Sequence, residues 1–95
     1  MIYALSTPPG VSAIALIRLS GEGCIGVVSA FLEKKPLKNN QAVVTNFVVS
    51  GVVVDRVVVT SFFAPRSFTG EDMLEISCHG SPLVISKIFS VLDGV

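Results

Sequence analysis

The stretch from residue 42 to residue 64 constrains this chain more than any other. It carries ten valines and little charge. A hydropathy window reads it as a membrane span, but Asn46, the Ser50-Gly51 break and the adjacent Asp55-Arg56 interrupt it. A bilayer helix needs about 20 consecutive, predominantly apolar residues. Valine, branched at Cβ, is stiff in a helix and packs well on a pleated surface. Residues 42–49 and 52–63 therefore read as two strands of a hairpin about Ser50-Gly51. Their apolar residues do not alternate cleanly, which predicts strands covered on both faces.

The rest of the chain supplies partners for that hairpin. Residues 2–5 read as a short strand. Ser6 to Gly10 breaks it, because Pro8 and Pro9 fix φ and lack N–H donors while Gly10 tolerates positive φ. Residues 12–19 are apolar and β-branched, a second strand ended by Ser20-Gly21. Residues 22–34 read as a helix with Ile25, Val28, Phe31 and Leu32 near one face. Glu22 falls in its first turn and lysines in its last, as the helix dipole favours. Residues 36–40 form a polar loop, and 64–70 a loop containing Pro65. Residues 72–78 alternate as a strand should, with Leu74, Ile76 and Cys78 on one face and Met73, Glu75 and Ser77 on the other. Ser81-Pro82 is an N-cap followed by a proline at the first helical position. The last helix runs to about Leu92, with Ile85, Ile88, Phe89 and Leu92 inward, and Asp93-Gly94 is a stop signal. The order ββαβββα defines an α+β class, or a mixed sheet with helices on one face.

At 95 residues the chain is a single domain. It is 51% hydrophobic, and its mean hydropathy is +0.74. A domain this small leaves much apolar surface uncovered, so self-association or docking on another domain is expected. Seven basic residues balance seven acidic ones. That excludes the basic excess a nucleic-acid surface needs to displace counterions. The cluster of Lys34, Lys35 and Lys38 around Pro36 reads as a solvated helix end. Cys24 and Cys78 fit no metal or redox spacing and are expected to be reduced core thiols, which suits a cytoplasmic protein. A single histidine argues against a metal site. The N-terminus has no signal-peptide pattern, and no membrane association is expected.

Several short patterns invite chemical readings. Gly21-Glu22-Gly23-Cys24-Ile25-Gly26 is a literal G-x-G-x-x-G between a strand and a helix. A dinucleotide site also needs an acidic residue about twenty positions on and continuing βα units. Neither follows, so a glycine-rich helix start is the plainer reading. No G-x-x-x-x-G-K-[ST] cradle for a nucleoside triphosphate is present. Cys78-His79 could suggest a nucleophile and base, but neighbours on a strand point to opposite faces. The charges inside strands say more. Arg18 shares a face with Ser12, Ile14 and Leu16, and Glu75 lies mid-strand. Burying either alone is costly. They are edge-exposed, or pair with each other, or meet a polar ligand. A carboxylate can accept two parallel bonds from an aminopyrimidine ring, and a guanidinium can clamp a carboxylate or carbonyl.

Two loops beside strand ends carry a more specific signal. Ser6-Thr7-Pro8-Pro9-Gly10, then Arg18-Leu19-Ser20-Gly21, resembles the opening of the MnmE/TrmE family of tRNA-modification GTPases. Ser67-Phe68-Thr69-Gly70-Glu71-Asp72-Met73-Leu74-Glu75, then Cys78-His79-Gly80, is similar to the same family's second signature. Ser81 stands where the family usually has a second glycine, and Ser12 falls in a stretch that is usually glycine-rich or basic. The resemblance covers essentially the whole chain.

The resemblance implies a fold like the folate-binding domain of the glycine-cleavage T-protein, a ββαβββα unit paired with a second copy. In this family the copy comes from another subunit with first strands exchanged, giving a homodimer. It further implies binding of a 5-formyl- or methylene-tetrahydrofolate, the presumed one-carbon source for modification of the wobble uridine of certain tRNAs, shared with a flavoprotein partner. Arg18 and Glu75 match the family's folate-contacting arginine and glutamate, with Glu75 placed on the pterin ring. A third contact, a lysine in a later segment, should follow position 95. The helical domain, GTPase domain and C-terminal cysteine motif also lie outside these 95 residues. The chain alone is therefore expected to be neither an enzyme nor a GTP or metal binder. Its expected role is a folate-binding, dimerising N-terminal domain that is incomplete at its C-terminal end. The alternatives are a structural dimerisation module without ligand and a small dinucleotide-binding enzyme domain.

Overall fold

The computed structural model describes residues 1–6, 13–35, 39–65, 67 and 70–94. Its elements are β1 (Ile2–Leu5), β2 (Ile14–Ser20), α1 (Cys24–Ser29), β3 (Gln41–Val49), β4 (Val52–Phe62), β5 (Met73–His79) and α2 (Pro82–Asp93). The ββαβββα order expected from sequence is the order observed. The five strands form one sheet in the order β1-β2-β5-β4-β3, and every described pairing is antiparallel. The class is α+β as expected, but the sheet is not mixed.

The valine-rich stretch is a hairpin. Ser50 and Gly51 take φ of 51° and 78° at its tip. Positive φ at both central residues matches the twist of flanking strands in a two-residue turn. No described helix is long and apolar enough to cross a membrane. The expectation that both faces of this hairpin are covered is not met. Val43, Thr45 and Phe47 are buried, while Val44 is 52% exposed across from Val58 at 38%. The uninterrupted valines put apolar side chains on both faces, and within this chain only the inner face is covered.

The two helices pack on one face of the sheet. Ile17 and Leu19 of β2, Leu74 and Ile76 of β5, and Val57 and Val59 of β4 meet Cys24 and Val28 of α1 and Ile88 and Leu92 of α2. Tyr3 of β1 meets Phe89 of α2 with ring centroids 5.5 Å apart. Ser81 is the N-cap of α2 and Pro82 opens it, as the sequence indicates, although the Ser81 side chain makes no capping bond.

Helix α1 departs most from its expected span. Only Cys24–Ser29 is helical, with Gly23 left-handed at its N-cap, and neither Glu22 nor any lysine lies in a terminal turn. The residues that periodicity assigned to the rest of the helix run beside β3 instead. Phe31 O accepts Val48 N–H at 2.7 Å, Glu33 N–H donates to Asn46 O at 3.3 Å, and Lys34 N–H donates to Thr45 Oγ1 at 2.8 Å. Phe31 stacks on Phe47, with centroids 5.8 Å apart. A bare edge strand leaves a row of backbone groups without partners. Satisfying that edge outweighs helix propensity, which is worth only tenths of a kcal/mol per residue (~0.5). Lys34 and Lys35 are exposed, though not at a helix end, while Lys38 and Pro36 lie outside the described residues.

Candidate functional site

The face of the sheet away from the helices carries the charged residues. Strand register lines up Ala4, Arg18, Glu75, Thr60 and Ala42 in one row across all five strands. Arg18 Nε donates to Glu75 Oε2 at 2.8 Å, so the two residues singled out in the sequence are directly opposed and paired. They lie on the inner strands β2 and β5, not at an edge. The Arg18 side chain is 48% exposed and that of Glu75 16%. Exposure of this order screens the attraction, and such a pair contributes about 1 kcal/mol at most. Alanine and threonine on either side leave the pair on an open shelf. The next row, Leu16, Ser77, Val58 and Val44, continues that shelf with mainly apolar groups. The row on the other side brings Met73 and Phe62.

A second polar cluster sits further along the same face. Asp55 Oδ2 accepts the His79 backbone N–H at 2.8 Å, and Asp55 Oδ1 lies 2.7 Å from His79 Nδ1. Arg56 Nη1 donates to Asn46 Oδ1 at 3.5 Å, and Asn46 Nδ2 donates in turn to Glu33 Oε1. Arg56 and His79 line a hollow of about 230 Å³ with Ile14, Val58 and Ser77. The sequence reading missed Asp55 and Arg56 as site residues. The available signal was their position inside a valine strand, where a charge needs a reason.

Cys78 and His79 point to opposite faces, as expected: Cys78 is buried and His79 exposed. Burial, with the Asp55 carboxylate adding to it, pushes the Cys78 thiol up to about 11. Burial, with Asp72 adding to it, raises Cys24 as well. Both cysteines are free and buried. Neither supplies a thiolate near neutral pH. Among the described residues no cluster of three metal-binding side chains occurs.

The first loop, Thr7 to Gly10, lies outside the described residues, as does Ser12. In the second, Asp72 Oδ1 accepts the Ala64 N–H at 2.9 Å and Ser67 Oγ donates to Glu71 O, so both ends of that loop are fastened. The G-x-G-x-x-G pattern proves to be the start of a six-residue helix in an antiparallel sheet. Among the described residues there is no crossover to a parallel strand of the kind a dinucleotide site uses. A further hollow, about 480 Å³ between β1 and α2, lies on the other side of the sheet and has Asp93 as a charged liner.

These features define a small α+β domain with an ion pair on an open, largely apolar sheet face. The chain belongs to the family described as the GTP-binding protein TrmE N-terminus, whose model matches residues 1–94. It is 38% identical over 92 residues to a tRNA modification GTPase MnmE of Malacoplasma penetrans, covering 96% of this chain and 21% of that protein. It is 40% identical over 87 residues to one of Helicobacter pylori strain HPAG1, covering 92% and 19%. It is 42% identical to one of Cytophaga hutchinsonii, covering 96% and 20%. The chain thus spans about a fifth of the length of these curated relatives.

Proposed function

We propose that this chain is the N-terminal domain of a tRNA-modification GTPase, and that it binds a tetrahydrofolate carrying a 5-formyl or methylene one-carbon unit and pairs with a second copy of itself. The observation that carries the ligand reading is the register-opposed Arg18–Glu75 pair at the centre of the open sheet face. Glu75 is a mostly buried carboxylate. It suits the aminopyrimidinone edge of a pterin, which offers two parallel N–H donors. Arg18 then serves a carbonyl or carboxylate of the ligand. Parting a half-exposed pair costs about 1 kcal/mol or less, which two charge-assisted hydrogen bonds exceed. When bound, the folate supplies an activated one-carbon unit; the chain's residues orient and hold it.

Self-association is supported by exposed Ile2 (77%), Ile14 (63%) and Val44 (52%). It is also supported by the short edge strand β1, whereas the β3 edge is covered by residues 31–34. The tRNA substrate, the flavoprotein partner, a cytoplasmic location and the absence of catalysis by this chain alone are parts of the same proposal, as is a likeness to the glycine-cleavage T-protein fold with exchanged first strands.

Calorimetric titration with 5-formyltetrahydrofolate, beside NAD, tests the ligand reading. Saturable folate binding that is lost in Glu75→Ala and Arg18→Ala is the expected result. Folate silence with a stable dimer would instead favour a structural module, and saturable NAD binding would sink the reading. Light scattering at micromolar concentration should give a dimer mass; a monomer counts against the pairing.

A further inference from the structure

We infer that Arg56 and the Asp55-anchored His79 form a carboxylate subsite that takes the glutamyl end of the ligand whose ring end sits at Glu75. This inference rests on the folate reading above.

Three observations converge on it. Arg56, His79 and the apolar residues Ile14 and Val58 line one hollow of about 230 Å³ on the same face as Glu75. Both oxygens of Asp55 are engaged by His79. That holds the His79 ring in place. Arg56 itself makes one long contact among the described residues, 3.5 Å to Asn46. Its guanidinium has five N–H donors in a fork that matches a carboxylate. Continuing the register two residues beyond Val58↔Ser77 sets Arg56 beside His79.

The spacing fits the ligand's shape. Glu75 and His79 are four residues apart on β5. At the strand rise this separates them by about 13 Å. From the aminopyrimidinone edge to the glutamate, the two fused rings, a methylene-amino link, a benzene ring and an amide span about 16 Å at ordinary bond lengths. Side-chain reach at each end closes the difference. Between the two polar clusters lie Leu16, Ser77 and Val58, a low and mainly apolar floor for the ligand's rings. The exposure of Val58 and Ile14 on this face then has a use beyond self-association.

The test compares two probes on the 95-residue chain by calorimetry: 5-formyltetrahydrofolate, and the methylamide of 5-formyltetrahydropteroate, which lacks the glutamate and carries no carboxylate. The wild type should bind the glutamyl form about tenfold more tightly, the scale of a hydrogen bond to a charged group. Arg56→Gln should erase that preference while leaving the affinity for the amide probe unchanged, and His79→Gln should reduce it. Both side chains are exposed, so folding is little affected. A thermal melt of each variant checks this. Equal affinity of the wild type for both probes overturns the subsite but leaves the folate reading standing. So does a preference that survives Arg56→Gln, or an Arg56→Gln variant weakened equally toward both probes. Binding of neither probe by the wild type refutes the folate reading, and the subsite with it.

Discussion

Replacing Gly21 by alanine should cost this fold more than its chemistry suggests. Gly21 has φ of +133°, and a Cβ there would lie 2.9 Å from Met1 Cα and 3.3 Å from Met1 N. The obstacle is backbone, so it yields only if the start of β1 moves. Gly21 also donates its N–H to Asp72 O at 2.9 Å, so it cannot swing away freely. The φ alone costs about 1–3 kcal/mol for a residue with a side chain. Gly51 provides the control, because its φ is +78° and nothing lies within 4 Å of a Cβ built on it. Gly51→Ala carries backbone strain of about 1 kcal/mol, the lower bound for a left-handed residue. Gly21→Ala carries strain plus the clash, about 3 kcal/mol together. For a domain near this size each kcal/mol moves Tm by about 4–8 °C. Urea and thermal melts of the two variants should therefore differ by about 8–16 °C. Hydrogen exchange should show Ile2–Leu5 opening in Gly21→Ala while β3 and β4 stay protected. Equal melting losses in the two variants, with unchanged β1 protection, would refute the reasoning.

Two further outcomes follow from the core. Phe47 is fully buried and stacked on Phe31, so Phe47→Ala should lose about 3–5 kcal/mol in urea unfolding. It should also free the segment that covers the β3 edge. The Cys78 thiol should resist iodoacetamide at pH 8 and react only in strong alkali or denaturant. Its folded pKa of about 11 lies above the ordinary thiol value of 9.0, so the folded state holds the proton more tightly. Stability from this group is complete below pH 9 and declines as pH rises toward 11, which melts across that window would measure.

Much of the architecture was legible because strand periodicity and turn chemistry agreed. Ser50-Gly51 was readable as a turn, and β5 alternated cleanly. The α1 stretch was not, since Phe31 and Leu32 satisfy a helical pattern and a strand edge equally well. What decided between them was β3's need for partners, which no local window contains. The even exposure of the hairpin's outer valines was hidden for a similar reason: sequence shows an apolar face but not whether anything lies on it. Of the candidate site, Arg18 and Glu75 were visible as charges inside strands, and their pairing was one of the readings left open. Their exact opposition depended on register. Asp55 and Arg56 registered only as interruptions of a hydrophobic run, because their partners His79 and Asn46 lie on other strands.

The strand order has a consequence for how the domain is made. The strand that emerges last, β5, occupies the middle of the sheet, between β2 and β4. During synthesis the β3–β4 hairpin can form from local contacts, and β1 can lie against β2. Neither can join the other until residues 73–79 have left the ribosome. The Arg18–Glu75 contact closes a separation of 57 residues. Long-range closure of this kind is slow relative to hairpin formation. The face that carries the Arg18–Glu75 pair is thus a seam that exists only once β5 has emerged, and a nascent chain stalled before residue 73 would hold two ribbons with exposed valines and no such pair.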